Sequence, residues 1–213
     1  MTRFGILGSG TVGQTLAKGL KLHGYDVRIG TRAPEKLADF SKEQGIDVDS
    51  VAGVAEWSEA LVLAVLGRAA ADALRDAGTT HLFRKLVIDT TNPIADGPPE
   101  NGVLQFFTGP NESLMERLQT EFPDARFVKA FNSVGAAVMV DPDFARAKPT
   151  MFVCGNDAAA KAEVAHILDL FGWDVADMGT VTSARAIEPL CQLWCIPGFR
   201  EQSWKHAFRM LRL

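Results

Sequence analysis

A glycine triplet wedged between a strand pattern and a helix pattern restricts this chain more than any other feature. Residues 3–7 form a short apolar run, and Gly8, Ser9, Gly10, Thr11, Val12 and Gly13 follow at once. Val12, Leu16 and Leu20, with the small Ala17 and Gly19, then recur at helical spacing as far as His23. The spacing G-x-G-x-x-G is weak by itself; its place after a strand and at the opening of a helix carries the meaning. There Gly8 permits a tight turn, Gly10 lets the backbone approach a pyrophosphate, and Gly13 lets the helix pack on the strand. The amides and dipole of the helix start attract such an anion. A glycine-rich turn without a ligand is the bland alternative, and the context weighs against it.

The alternation continues along the chain. Short apolar runs predict strands at 26–30, 59–66, 85–89 and 126–130, and helical spacing predicts helices at 34–44, 68–77 and 111–122. This predicts an α/β fold: a Rossmann-type doubly wound parallel sheet with helices on both faces. Residues 92–110 hold four prolines and three glycines. They read as a long loop over the carboxyl edge of the sheet, where ligands bind in such folds. Beyond Pro149, strands at 150–154 and 173–177 flank a helix at 157–171. A helical pattern from Thr182 onward is expected to break at Ile196-Pro197-Gly198. The expected division is a nucleotide-binding domain at 1–148 and a small C-terminal α+β/helical extension at 149–213 that closes the substrate pocket.

Composition excludes several classes of partner. The net charge of −4 and the scattered Lys and Arg residues give no basic patch for nucleic acid. The longest apolar runs are far too short to span a bilayer, and the first residues lack the apolar core of a signal peptide. A cytoplasmic protein without a membrane partner is expected. Three cysteines make no disulfide framework. Cys191 and Cys195 share a helix face but lack two further nearby ligands, so no metal site is expected.

The end of the second strand selects the nucleotide. NAD sites usually place Asp or Glu about 20 residues past the glycines, to hold the ribose 2′-hydroxyl. This chain has Thr31 and Arg32 there, which suit the 2′-phosphate of NADP(H); a carboxylate would repel it. Lys36 offers a second positive charge one turn later. For Lys36 the reading as a solvated surface residue weighs equally.

A search for acid–base groups finds no compelling pair. His23, His81, His166 and His206 each read as structural or solvated, and Tyr25 is the single tyrosine. A ketone reductase needs a positioned acid for the developing alkoxide. Exchange of hydride with a flavin-like ring asks mainly for orientation and exclusion of water. Arg185 and Glu188, three apart on a predicted helix, are expected to pair locally. The aromatic tail with Trp194, Phe199, Trp204 and Phe208 reads equally as the chain's own core or as the face of a homodimer.

Four stretches together resemble a known family. They are Gly5 to Gly13; Gly30-Thr31-Arg32 with Lys36; Val128-Lys129-Ala130-Phe131-Asn132-Ser133-Val134-Gly135-Ala136; and Phe152 to Asp157 with Asp177-Met178-Gly179 and Ser183 to Leu190. The chain resembles the NADP oxidoreductases that use the deazaflavin coenzyme F-420 (F420), and the related reductase domain of the STEAP metalloreductases. The resemblance implies NADP(H) across the carboxyl ends of the strands, with Ala64, Val65, Leu66, Gly67, Asn92, Ala130 and Asn132 bordering its ribose and nicotinamide. It places Asn132, Val134 and Gly135 beside a second redox ring, F420 or a flavin, and has Ile187 help to close that pocket. Asn132 is the candidate orienting residue, equally readable as a satisfied loop amide; catalytic residues are otherwise unassigned. The β-hydroxyacid dehydrogenases and imine reductases share the N-terminal pattern but add a large helical domain, for which the roughly 65 residues after Pro149 are too few.

The leading expectation is therefore an enzyme moving hydride between NADP(H) and a flavin-like small-molecule redox partner. The alternatives are an NADPH-dependent reductase of a small carbonyl, imine or flavin–metal acceptor, and a non-catalytic NADP-binding sensor. A pocket with room for three rings favours the first and a narrow one with a buried polar group the second. A pocket filled by Trp194 or its neighbours favours the third.

Overall fold

The computed structural model describes residues 2–145 and 147–213. In chain order its elements begin β1 (Arg3–Leu7), α1 (Thr11–Leu22), β2 (Asp26–Gly30), α2 (Ala38–Gln44), β3 (Asp47–Asp49), α3 (Val51–Trp57) and β4 (Ala60–Leu63). They continue with α4 (Ala70–Ala77), α5 (Thr79–Leu82), β5 (Leu86–Asp89), α6 (Leu114–Glu121), β6 (Arg126–Lys129) and β7 (Thr150–Val153). The last are α7 (Ala158–Leu170), β8 (Asp174–Asp177), α8 (Ala184–Ile187) and α9 (Pro189–Glu201).

The first six strands form one parallel sheet in the order β3-β2-β1-β4-β5-β6. Strand order reverses between β1 and β4, and that switch point opens a crevice at the carboxyl edge. Side chains alternate across the sheet with period two. Phe4, Ile6, Val62, Ile88 and Val128 face a cluster with Leu16 and Leu20 of α1 and Val164 of α7. Leu7, Leu61, Leu63, Val87 and Phe127 face the opposite cluster, with Leu74 of α4, Leu118 of α6 and Ile187. Both faces of β4 and β5 are buried, which accounts for their continuous apolar runs.

Strands β7 and β8 form a separate parallel pair bridged by α7. Met151, Val153, Phe171 and Trp173 belong to the same cluster as α1, so the apolar core runs without a break across Pro149. Trp173 Nε1 donates to the Met139 carbonyl at 2.8 Å and ties the unit to the loop after β6.

Three local expectations need correction. First, β3 and α3 lie in a stretch whose spacing predicts neither. The strand has three residues on the sheet edge, and α3 starts where Ser50 Oγ accepts from Gly53 N at 3.1 Å. Second, α9 runs through Pro197 without a break. A proline removes one hydrogen bond, and burial of Cys191, Trp194 and Cys195 on the packed face outweighs that loss. Third, the helical pattern stops at Gln202, which takes a left-handed backbone (φ 56°). The tail then turns back along β7, where Thr150 N donates to the Phe208 carbonyl at 2.8 Å.

Candidate functional site

The crevice holds a cavity of about 620 Å³, in the size range of small-molecule sites. Its middle is the loop after β1. Gly8 has φ 127°, and a Cβ there would lie 2.2 Å from the Ala64 carbonyl oxygen, so only glycine fits. A Cβ on Gly13 would lie 2.3 Å from the Gly8 carbonyl oxygen, which is how closely α1 packs on the loop. At Gly10 a Cβ would meet nothing within 4 Å. That residue lines the cavity, and its bareness leaves the backbone approachable by a pyrophosphate. Helix α1 has no acidic residue in its first turn and no side-chain cap. Its leading amides and dipole are free to attract an anion.

Thr31 and Arg32, at the tip of β2, line one end of the cavity. Thr31 is buried, and its Oγ1 accepts from Ala33 N at 3.3 Å. Arg32 is exposed, and no carboxylate among the described residues pairs with it. Its guanidinium is available to a phosphate on the ribose. Lys36 is also exposed, but lies in the turn after β2 and not on the cavity wall.

Ala64, Val65, Leu66 and Gly67 after β4, with Thr90, Thr91, Asn92, Ile94 and Ala95 after β5, form the other end. The side-chain hydroxyls there are already committed. Thr90 Oγ1 donates to the Leu63 carbonyl at 2.9 Å and Thr91 Oγ1 to Asp89 Oδ1 at 2.7 Å. Asn92 Nδ2 donates to the Asn132 carbonyl at 2.8 Å, while Asn92 Oδ1 accepts from Asn132 Nδ2 at 3.1 Å. Arg68 is paired with Asp96. Among the described residues no His, Tyr, Lys, Cys or Glu lines the cavity, while Asp72 and Asp76 of α4 do.

Ala130, Asn132, Val134, Gly135 and Ile187 come together but sit behind this wall, outside the cavity lining. Asn132 Nδ2 also donates to the Ile187 carbonyl at 2.9 Å, joining α8 to the loop after β6. Phe131 sets that orientation through a left-handed backbone, φ 60°. This costs a non-glycine residue about 1–2 kcal/mol, and burial of the Phe131 ring in the core offsets it. A Cβ on Gly135 would lie 2.7 Å from the Trp194 ring. Trp194 therefore fills the room above Gly135. His206 stacks on Trp194 with centroids 4.8 Å apart, and each ring donates to the other's carbonyl at 2.8 Å. The tail thus packs on its own helix. Ile94, on the cavity wall, touches the same cluster.

The sequence reading misses a buried charge cluster behind Thr91. Asp89 ends β5 and Lys129 ends β6 in direct register. Lys129 Nζ lies 2.7 Å from Asp89 Oδ2, 2.9 Å from Glu188 Oε1 and 2.8 Å from the Thr91 carbonyl. All three charged side chains are buried. Glu188 also accepts from Leu114 N at 2.9 Å and Met115 N at 3.0 Å, capping α6. Burial works to lower the Lys129 pKa, but the two carboxylates outweigh it and hold the value above the ordinary one. The expected Arg185–Glu188 pair does not form. Arg185 reaches Glu116 at 2.7 Å instead, because α8 turns Glu188 inward toward Lys129. A charged residue at the end of each of two strands with buried, apolar middles, Asp89 in β5 and Lys129 in β6, was the available signal.

Comparison with known proteins matches this geometry. The family model described as NADP oxidoreductase, coenzyme F420-dependent, matches residues 3–93. The crystal structure of a candidate F420-dependent NADP-reductase from Arthrobacter sp. FB24 superposes with a TM-score of 0.92 at 35% identity, covering 100% of both chains. The chain belongs to this family. As a member of the F420-dependent NADP oxidoreductase family it is an NADP-dependent oxidoreductase. A hypothetical protein from Sinorhizobium meliloti has a TM-score of 0.74 at 25% identity, covering 86% of this chain and 88% of that one. The metalloreductase STEAP3 of Rattus norvegicus is 29% identical over 208 residues, which are 92% of this chain and 38% of that protein. The chain thus spans about two fifths of that relative's length. Among the described residues no helix is long and apolar enough to cross a membrane, and no group of three metal-ligating side chains occurs.

Proposed function

We propose that this oxidoreductase exchanges hydride between NADP(H) and a flavin-like ring, F420 by family. One observation carries the reading: among the described residues no His, Tyr, Lys, Cys or Glu lines the cavity, its two carboxylates Asp72 and Asp76 are exposed on α4, and the Thr90 and Thr91 hydroxyl hydrogens are already bonded, so no buried side-chain acid faces an alkoxide. A ring acceptor delocalises the incoming charge and takes its proton from solvent, so the protein has only to bind, orient and exclude water. NADPH supplies the hydride at its nicotinamide C4. The glycine loop and α1 hold the pyrophosphate, Thr31 and Arg32 the 2′-phosphate, and Ala64 to Gly67 with Asn92 border the nicotinamide. Leu66, 65% exposed on the cavity rim, offers an apolar platform to the second ring.

Trp194 above Gly135 supports a second reading. The room there is taken by an indole, so an acceptor either enters over the Leu66 rim or is absent, as in a nucleotide sensor. Purified protein is mixed with NADPH and either F420 or FMN, and absorbance is followed. Oxidation of NADPH coupled to reduction of F420 supports the proposal. Tight NADPH binding with no turnover of either acceptor refutes it and leaves the small-acceptor and sensor readings.

A further inference from the structure

The charge cluster behind Thr91 has an electrical sign. Glu188 accepts from two backbone amides and faces the Lys129 ammonium. Asp89 accepts from Thr91 N at 2.8 Å and Thr91 Oγ1 at 2.7 Å and faces the same ammonium. Lys129 keeps its proton. Burial pushes the neighbouring Cys154 thiol up to about 12, so it stays neutral. Two carboxylates and one ammonium sum to a single negative charge, buried and only partly offset by the start of α6. Water and salt screen such a charge poorly.

Its position matters as much as its sign. Thr91 lines the cavity while its carbonyl accepts from Lys129 and its amide donates to Asp89, so one residue separates the cluster from the cavity. It lies beyond the pyrophosphate loop, on the side opposite Arg32. In this fold that side takes the nicotinamide. When NADPH donates, the C4–H bond breaks and both electrons leave with the hydrogen for the acceptor. The ring changes from neutral to a +1 pyridinium, and the acceptor's new negative charge is met by a proton from solvent.

We propose that Asp89, Lys129 and Glu188 act together as a positioning cluster whose net negative charge favours bound NADP+ over bound NADPH, making the bound cofactor a stronger hydride donor. The inference rests on the placement of the nicotinamide under the proposed function. The cluster touches no reacting atom; it acts through Thr91.

The test is the ratio of the dissociation constants of NADP+ and NADPH on the full chain, for wild type, Asp89→Asn and Glu188→Gln. Each variant removes one negative charge with little change of shape. A unit charge roughly 10 Å from the ring at an effective dielectric constant of about 20 predicts that NADP+ weakens about tenfold more than NADPH in both variants. A purely structural role weakens both nucleotides alike, and an unchanged ratio overturns the inference. The double variant Lys129→Met with Glu188→Gln keeps one net negative charge while breaking the ion pairs, and should keep the wild-type ratio. If no variant folds, wild type decides: tighter binding of NADP+ than of NADPH supports the inference, and the reverse overturns it. Failure of wild type to bind either nucleotide sinks the NADP reading itself, a different outcome.

Discussion

Arg32→Asp is the sharpest perturbation of the nucleotide site. Arg32 stands at the cavity end, exposed, with no carboxylate of the described residues pairing with it. Its charge is therefore not already compensated within the protein. A hydrogen bond to a charged group contributes roughly 1.5–3 kcal/mol, and solvent exposure reduces this to about 1–2 kcal/mol. Removing it costs about tenfold in NADPH affinity. A carboxylate in its place adds repulsion from the 2′-phosphate of about 1 kcal/mol per unit charge at contact in water. Together the ratio of NADPH to NADH affinity should fall about a hundredfold, with NADH little affected. Titration followed by nucleotide fluorescence at low and high salt checks this, and the effect should shrink as salt rises. A ratio that stays within about twofold of wild type would refute the 2′-phosphate role of Arg32. A loss shared equally by both nucleotides would point to damage of the loop after β2.

Two further outcomes concern stability. Lys129→Met leaves two buried carboxylates without their cation, which should cost about 3–5 kcal/mol and lower the melting temperature by about 10 °C; a loss under about 1 kcal/mol in urea unfolding would show that the pairs are not coupled as drawn. Glu116 is held below its ordinary value of 4.5, chiefly by the hydrogen bond from Arg185. Its stabilisation is present above that value and lost as pH falls through the folded value, so Glu116→Gln should flatten the acid side of a stability–pH profile, and an unaltered acid limb would contradict this.

Much of the sheet was readable because its cues are local. Continuous apolar runs at β4 and β5, and the glycines after β1, state their surroundings within a few residues. Elements too short to show a period, such as β3 and α3, were not readable. Neither was the persistence of α9 through Pro197, because packing against distant residues decides it.

At the site, sequence alone determined the turn chemistry of Gly8 to Gly13 and the cationic tip of β2, since backbone freedom and side-chain charge belong to single residues. Tertiary structure alone decided which charges meet. Glu188 is three residues from Arg185 but pairs with Lys129, 59 positions away, at 2.9 Å. Gly135 and Trp194 are likewise far apart in the chain and in contact in the fold. A pairing of this kind depends on strand register and on which way α8 and α9 turn over the carboxyl edge. Those follow from the burial of whole faces, which no short stretch of residues records.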